Sequence, residues 1–172
     1  TAGWLDSMSR PFGIEVGVVP TEDAKVVETH RLMIRLHKNV CCLVDGDADG
    51  LRYINELAAS PTPTAAVIRW HDGAMIEDAI GWILAADEAT IVEKLAELSK
   101  TPPNSAVAVV TYLKAKKMDL IAYESVAEAI ATTPACRERA ADLLSGLACA
   151  CAGSPGTSRF IRDPDNVWVF QP

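Results

Sequence analysis

The sequence predicts the α/β fold class: a parallel sheet flanked by helices and followed by a helical subdomain. In the first half, short β-branched apolar runs alternate with segments whose apolar residues recur every three or four positions. The connections between these runs are long enough for crossover helices, as parallel strands require. After Asp87 the pattern becomes wholly helical. Together these observations predict βαβ units with a helical region added behind them.

Composition limits the class of protein. The chain has 172 residues, of which 49% are hydrophobic and 23% charged, which is typical of a globular domain and not of a disordered one. The net charge of −7 disfavours nonspecific binding of nucleic acid by the whole surface, so contact with DNA must be local, bridged by metal or supplied by another domain. The five cysteines include no Cys-x-x-Cys pair, which favours reduced thiols over structural zinc. No stretch resembles a signal peptide or a membrane span, which predicts a cytoplasmic protein without a membrane partner.

The elements follow in a regular order. A helix ends near Met8, and after it the predicted strands and helices are Ile14–Pro20 (strand), Thr21–His37 (helix), Val40–Val44 (strand), Asp49–Ala59 (helix), Ala65–Trp70 (strand) and Met75–Ala85 (helix). Within the first of these helices, His30 lies in the apolar stripe and is interpreted as a core histidine. Ser105–Lys114 is ambiguous and is assigned to a helix, and Val167–Phe170 is predicted to be a closing edge strand. We therefore divide the chain into an α/β core (1–86), a helical subdomain (87–152) and a C-terminal loop with an edge strand (153–172).

An acidic turn follows the strand Val40–Val44. Asp45, Asp47 and Asp49 alternate with other residues there, and Gly46 and Gly50 punctuate the turn. The end of a strand followed by a glycine-containing turn is where an open α/β sheet places its chemistry. Crowded carboxylates repel one another unless a cation neutralises them, so the turn predicts a divalent cation site. The alternative is an ordinary surface turn, in which Asp and Gly are common.

Two other known patterns share this turn. The residues from Asp45 to Glu56 satisfy the calcium loop of an EF-hand, but that loop must leave an amphipathic helix. Here it leaves a run that is apolar at successive positions, which argues against an EF-hand. In haloacid-dehalogenase-like phosphatases an Asp-x-Asp also follows a buried strand, and its first Asp is the nucleophile. That family normally has Thr or Val where Asp49 stands, and the phosphatase with Asp45 as nucleophile remains an alternative.

Glu77 is a further candidate ligand. It falls in the first turn of the helix that follows the strand ending at Trp70. Acidic residues in a first turn are ordinary partners of the helix dipole. However, the carboxyl ends of neighbouring parallel strands share one edge of the sheet. The sequence therefore also predicts a ligand role for Glu77 beside Asp45 and Asp47.

Three segments of the chain resemble the Toprim domain of OLD-family (overcoming lysogenisation defect) nucleases. These segments are Leu43–Gly50, Ile68–Asp78 and Lys117–Glu124, and the likeness runs from Ala2 to Ala131. Toprim domains also occur in primases, topoisomerases and RNA-processing nucleases. The segment from Trp70 to Asp78 and the helical insertion favour the OLD family. The resemblance implies a Toprim-like (Rossmann-like) sheet.

The resemblance also implies a function. It implies a metal-dependent endonuclease or nicking domain that hydrolyses DNA phosphodiesters by a two-metal mechanism with Mg²⁺ or Mn²⁺. The residues that match its catalytic set are Asp45, Asp47, Glu77 and Lys117, of which the first three would bind metal and the last would stabilise the transition state. Lys114 and Lys116 lie close enough in sequence to compete for that last role, but both are interpreted as solvated lysines.

The resemblance also implies further partners, because a domain of this family is part of a larger polypeptide. In the family, ATP acts through an ATPase domain of the same polypeptide, which these residues do not contain. The resemblance further implies a helicase partner and a role in phage defence. Two features depart from the pattern. The opening strand of Toprim nucleases and the first glutamate at its end have no counterpart, so either they lie elsewhere in a larger parent or the metal site is incomplete and this fragment is inactive. Met75 stands where a small hydroxyl residue is common. A non-catalytic module whose helical half binds partners is the remaining alternative.

Overall fold

The computed structural model describes residues 18–21, 25–37, 39–61, 64–117, 119–153 and 159–172. The helices in these ranges are α1 (Val26–Met33), α2 (Ala48–Ala58), α3 (Ile76–Leu84), α4 (Glu88–Lys94), α5 (Ala106–Ala115), α6 (Leu120–Thr132) and α7 (Pro134–Cys151). The strands are β1 (Cys41–Val44), β2 (Ala66–Arg69), β3 (Phe160–Arg162) and β4 (Val167–Phe170). The predicted helix end near Met8 and residues 14–17 of the first predicted strand lie outside the described residues, and residues 18–20 of that predicted strand are described but are not in a strand. No helix within the described ranges is long and apolar enough to cross a membrane.

The four strands form one sheet in the order β1-β2-β4-β3. Strands β1, β2 and β4 are parallel, and β3 is antiparallel to β4, so the α/β class is confirmed with a mixed sheet. The prediction that Val167–Phe170 is an edge strand is wrong, because β4 pairs on both sides. All four of its residues are buried, which is typical of a strand covered on both faces. Next to β4, the three-residue β3 forms one edge of the described sheet, and β1 forms the other.

The contacts within the chain divide it into two compact units. The first is formed by the described parts of residues 1–74 and 142–172, and the second by residues 75–141. This division differs from the sequence-based one at 86/87 and 152/153. Helix α3 joins the helical unit because it packs closely on α5: a Cβ added at Gly81 would lie 2.7 Å from Val110 Cγ2. Strands β3 and β4 join the first unit because they complete its sheet.

In the first unit, helices α1 and α2 contribute to a core cluster with the sheet. Its buried members are Val27, Cys42, Val44, Tyr53 and Leu57. Alternate residues of β1 contribute to it, as the two-residue repeat of a strand requires. His30, on α1, is also buried, as predicted, and burial is the main reason that its pKa is lowered. Neither of its ring nitrogens has a hydrogen-bond partner among the described residues, so the polar atoms of this core histidine are not satisfied there.

The second unit is a helical bundle whose helices begin at well-defined caps. Asp87, Ser105 and Asp119 each precede a helix, and each side chain accepts a hydrogen bond from a backbone amide three residues later. Such caps satisfy amides that have no partner within the helix. The assignment of Ser105–Lys114 to a helix is confirmed, since α5 covers it almost completely and begins at this Ser105 cap.

Candidate cation site at the end of strand β1

The predicted acidic turn lies at the carboxyl end of β1. Asp45 directly follows the strand, and α2 begins three residues later at Ala48 with Asp47 as its N-cap. The Asp47 Oδ1 atom accepts a hydrogen bond from the Gly50 amide at 2.9 Å. This contact fixes the orientation of the Asp47 carboxylate at the helix N-terminus, where a negative charge is favoured. Asp45 and Asp47 are both half-buried and lie on one short loop.

Two glycines make this loop tight. A Cβ at Gly50 would lie 1.8 Å from the carbonyl oxygen of Asp45, and a Cβ at Gly46 would lie 1.9 Å from that of His71. The loop is also bonded to the one that follows β2: the Gly46 amide donates to the Ala74 carbonyl at 2.7 Å, and the Gly73 amide donates to the Gly46 carbonyl at 2.8 Å. The backbone around the two carboxylates is therefore held from both sides.

Asp49, the third carboxylate of the pattern, is exposed in the first turn of α2 and does not share the environment of Asp45 and Asp47. Its side chain is 73% exposed and pairs with Arg52 at 3.0 Å, and Arg52 also pairs with Glu56 at 3.1 Å. Helix α2 already begins at Ala48, inside what would be the calcium loop. A loop that turns helical this early cannot surround a calcium ion, so the structure excludes an EF-hand geometry. The carboxylates left in this loop as candidate ligands are those of Asp45 and Asp47.

Glu77 lies in the second unit, in the first turn of α3. Its side chain is only 3% exposed. The hydroxyl of Tyr123 donates to Glu77 Oε1 at 3.3 Å, whereas Glu77 Oε2 is buried without a hydrogen-bond partner among the described residues. A buried carboxylate oxygen without a partner costs free energy that a cation or a proton would recover. Burial and the nearby charge of Glu77 raise the pKa of Tyr123, which therefore stays a hydrogen-bond donor.

The lysines of the second unit differ in their contacts. The ammonium of Lys114 lies 2.7 and 2.8 Å from the two carboxylate oxygens of Asp78, next to Glu77 in sequence. The interpretation of Lys114 as a solvated lysine is therefore wrong. Lys117 is exposed in the turn that follows α5. Sequence reasoning missed the Lys114–Asp78 and Tyr123–Glu77 contacts. Their one signal in the sequence is that all four residues lie in or beside the segments Ile68–Asp78 and Lys117–Glu124, which carry the family resemblance.

The four predicted catalytic residues are thus distributed over both units. Asp45 and Asp47 share the β1–α2 loop of the first, and Glu77 and Lys117 belong to the second. In the ranges that the structure describes, no group of three or more His, Cys, Asp or Glu side chains is arranged to hold a metal ion.

Two carboxylates on one rigid loop nevertheless suit Mg²⁺ or Mn²⁺. Both cations prefer oxygen donors. Mg²⁺ usually keeps several waters and is bound through one or two protein carboxylates together with substrate phosphates. The donor set of Asp45 and Asp47, both half-buried and so within reach of solvent, fits such a cation.

A cleft of about 420 Å³ lies in the same unit, along β2 and β4. Its polar lining includes Arg69, His71, Asp72, Asp163 and Gln171. Arg69 pairs with Asp72 at 2.5 Å, so its positive charge is balanced locally. With a second carboxylate from Asp163, the lining carries no excess of positive charge that would attract a phosphate by itself.

The fold and this loop define a mixed α/β protein that places two carboxylates at the carboxyl end of a parallel strand. No protein-family model matches the chain, and the comparisons with curated proteins and with solved structures give no match either.

Proposed function

We propose that the chain is a metal-dependent phosphodiester hydrolase that acts on DNA, with Asp45 and Asp47 holding Mg²⁺ or Mn²⁺. The observation that carries this function is the pair of carboxylates at the end of β1, on a loop closed by Gly46 and Gly50. The narrower activity, an endonuclease or nicking domain of the OLD type, is supported by the sequence resemblance. The same resemblance supports an ATPase domain in the parent polypeptide and a helicase partner.

The residues of the loop have separate tasks. A bound divalent cation would supply a water of lowered pKa and would neutralise charge on the phosphate. Asp45 and Asp47 would hold that cation, and the N-cap bond of Asp47 would keep its second carboxylate oxygen in a fixed direction. Gly46 and Gly50 let the backbone of the loop pack this closely, because a Cβ at either position would overlap a backbone carbonyl oxygen. A fixed donor set of this kind does not have to reorganise during the reaction.

Glu77 and Lys117 enter the proposal through the resemblance. By the resemblance Glu77 would be a metal ligand, and its buried Oε2 atom, unpartnered among the described residues, is chemically suited to binding a cation. Tyr123 would orient Glu77 through the hydrogen bond to Oε1. Lys117 would offset negative charge that develops on the phosphate, as an exposed ammonium can. Lys114 is less suited to this task because its ammonium is already held by Asp78.

The charge of the chain agrees with a role for a cation. At a net charge of −7, the protein as a whole repels a polyanion. A divalent cation is often the largest local charge of a site and lets an acidic pocket accept a phosphate. Binding of DNA would then depend on Mg²⁺ or Mn²⁺ more than on basic side chains.

The test is to incubate the protein with supercoiled plasmid DNA, and separately with a generic phosphomonoester, each with Mg²⁺, Mn²⁺ or EDTA. We expect metal-dependent nicking or cutting that the double variant Asp45→Asn, Asp47→Asn abolishes. The matched control is Asp87→Asn, which makes the same chemical change at another helix N-cap. Hydrolysis of the phosphomonoester without DNA cleavage would favour the phosphatase with Asp45 as nucleophile. Absence of both activities would contradict an enzymatic role and favour an interaction module.

A further inference from the structure

Two cysteines from distant parts of the chain meet in the first unit. Cys41 opens β1, and Cys151, 110 residues later, ends α7. The Cys41 thiol donates to the carbonyl oxygen of Cys151 at an Sγ–O distance of 3.5 Å, which places this thiol directly beside Cys151. Both residues are half-buried, so a small oxidant can reach them. The fold therefore brings together two free thiols that the sequence places far apart.

The other cysteines are poorly placed to react with either one. Cys42 follows Cys41 on the strand, so its side chain points to the opposite face of the sheet, where it lies in the core cluster. Cys149 lies two positions before Cys151 on α7 and is therefore rotated by about 200° around the helix axis. Cys136 belongs to the second unit, where its buried thiol donates to the Leu84 carbonyl at 3.8 Å.

The environments of the two thiols differ in a way that suits thiol oxidation. The interaction with the Cys151 side chain and, less strongly, a hydrogen bond from the Ala66 backbone lower the pKa of Cys41, although partial burial opposes this. The pKa of Cys151 is raised by its interaction with the Cys41 side chain and by burial. The thiolate is the reactive form, so Cys41 would react first while Cys151 still carries its proton.

We propose that Cys41 and Cys151 form an oxidation-sensitive pair that a hydroperoxide such as H₂O₂ converts into an intramolecular disulfide. The Cys41 thiolate attacks one peroxide oxygen, the O–O bond breaks, and the departing hydroxide takes a proton and leaves as water, which gives a sulfenic acid on Cys41. The sulfur of Cys151 then attacks the Cys41 sulfur. The S–S bond forms, the S–O bond breaks, and hydroxide leaves with the Cys151 proton as a second water. In total, two thiols are oxidised and one H₂O₂ is reduced to two waters.

The disulfide would join the two chain segments of the first unit. The described parts of residues 1–74 and 142–172 form that unit without a covalent link apart from the chain that runs through the second unit. A bond between Cys41 and Cys151 restricts the unfolded chain across a loop of this length. We expect oxidation to raise the melting temperature by about 5–10 °C. Neither cysteine belongs to the proposed cation site, so this pair can be tested whether or not the chain is a nuclease.

The experiment is to treat the full chain with one equivalent of H₂O₂ and to analyse it by non-reducing mass spectrometry. The intact mass should fall by about 2 Da as two hydrogens leave, and the number of thiols titrated after denaturation should fall from the five of the sequence to three, that is 5 − 2. Tryptic digestion should give Asn39–Arg52 linked to Ala140–Arg159.

Variants assign the bond to one pair, because each of these peptides contains two cysteines. The double variant Cys42→Ala, Cys149→Ala should still form the link, whereas Cys41→Ser and Cys151→Ser should each lose it. Three results would overturn the proposal. The first is a link between the peptides that disappears only when Cys42 or Cys149 is replaced. The second is a mass gain of about 32 Da from a sulfinic acid without a link, and the third is five thiols that remain unreacted. These measurements are made first on the unsubstituted chain, so a poorly folded variant does not remove the test.

Discussion

Replacing Gly50 by Ala sets two effects of opposite sign against each other. Gly50 is the third residue of α2, and in an exposed helix interior Ala is more stable than Gly by about 1 kcal/mol. Here, however, the added Cβ would lie 1.8 Å from the carbonyl oxygen and 2.7 Å from the carbonyl carbon of Asp45. These are backbone atoms, which cannot rotate away as the end of a side chain can. Overpacking of this kind costs about 1–3 kcal/mol, and a contact this short belongs at the upper end, so we expect a net loss of about 2 kcal/mol.

The assay is urea unfolding followed by both far-ultraviolet circular dichroism and tryptophan fluorescence, whose transitions must coincide before a free energy of unfolding is derived. Gly81→Ala is the matched control, also within a helix. Its added Cβ meets a side-chain atom, Val110 Cγ2, at 2.7 Å and no backbone atom, and the gain in helix propensity offsets part of the cost, so we expect a smaller loss than for Gly50→Ala, within about 1 kcal/mol. A Gly50→Ala variant as stable as the parent or more stable would show that helix propensity wins and that the β1–α2 loop is not closed as described.

Three further outcomes are expected. Asp47→Asn should keep the N-cap and change the free energy of unfolding by less than about 0.5 kcal/mol, whereas Asp47→Ala should cost about 1 kcal/mol in urea unfolding; equal losses would refute the cap. Lys114→Met should cost at most about 1 kcal/mol of stability, because its pair with Asp78 is about one third exposed. Lys117→Met should leave stability unchanged and lower single-turnover DNA cleavage by about 10²- to 10³-fold; an unchanged rate would remove Lys117 from the reaction. Beryllium fluoride should not form a stable adduct on Asp45, and an adduct detected by mass spectrometry would favour the phosphatase.

Local signals explain what the sequence could predict. The apolar run before Asp45 and the acidic N-cap chemistry after it lie within a dozen residues, and β1, the loop and α2 were all located from them. The strand ending near Trp70 was found for the same reason. The sequence does not show that Asp49 differs from Asp45 and Asp47. Asp49 pairs with Arg52 on the exposed side of α2, and this pairing depends on where the helix begins.

Nonlocal pairing explains much of what was missed. Strand β3 has three residues and only one of them is buried, so no alternation marks it in the sequence. Its pairing with β4 moves Val167–Phe170 from the edge to the interior of the sheet. Strand order is set by contacts between segments that are distant in sequence, for which a single chain carries little local signal.

The candidate site shows the same limit. Lys114 reaches Asp78 across 36 residues, and Tyr123 reaches Glu77 across 46. Helical periodicity places these residues on their helices but does not tell which helices pack together. For that reason Lys114 is interpreted from the sequence as a solvated lysine, and no hydrogen-bond partner of Glu77 is predicted.

The binding of Mn²⁺ by the loop between β1 and α2 tests the central claim most directly. Calorimetric titration of Mn²⁺ should give a binding heat for the parent chain and for Asp87→Asn, whose N-cap lies in the second unit. The double variant Asp45→Asn, Asp47→Asn should lose that heat, because its amide oxygens bind a divalent cation far more weakly than carboxylates do. Circular dichroism should show that the double variant remains folded. Equal binding of Mn²⁺ by the double variant and the parent would contradict the assignment of the cation to this loop.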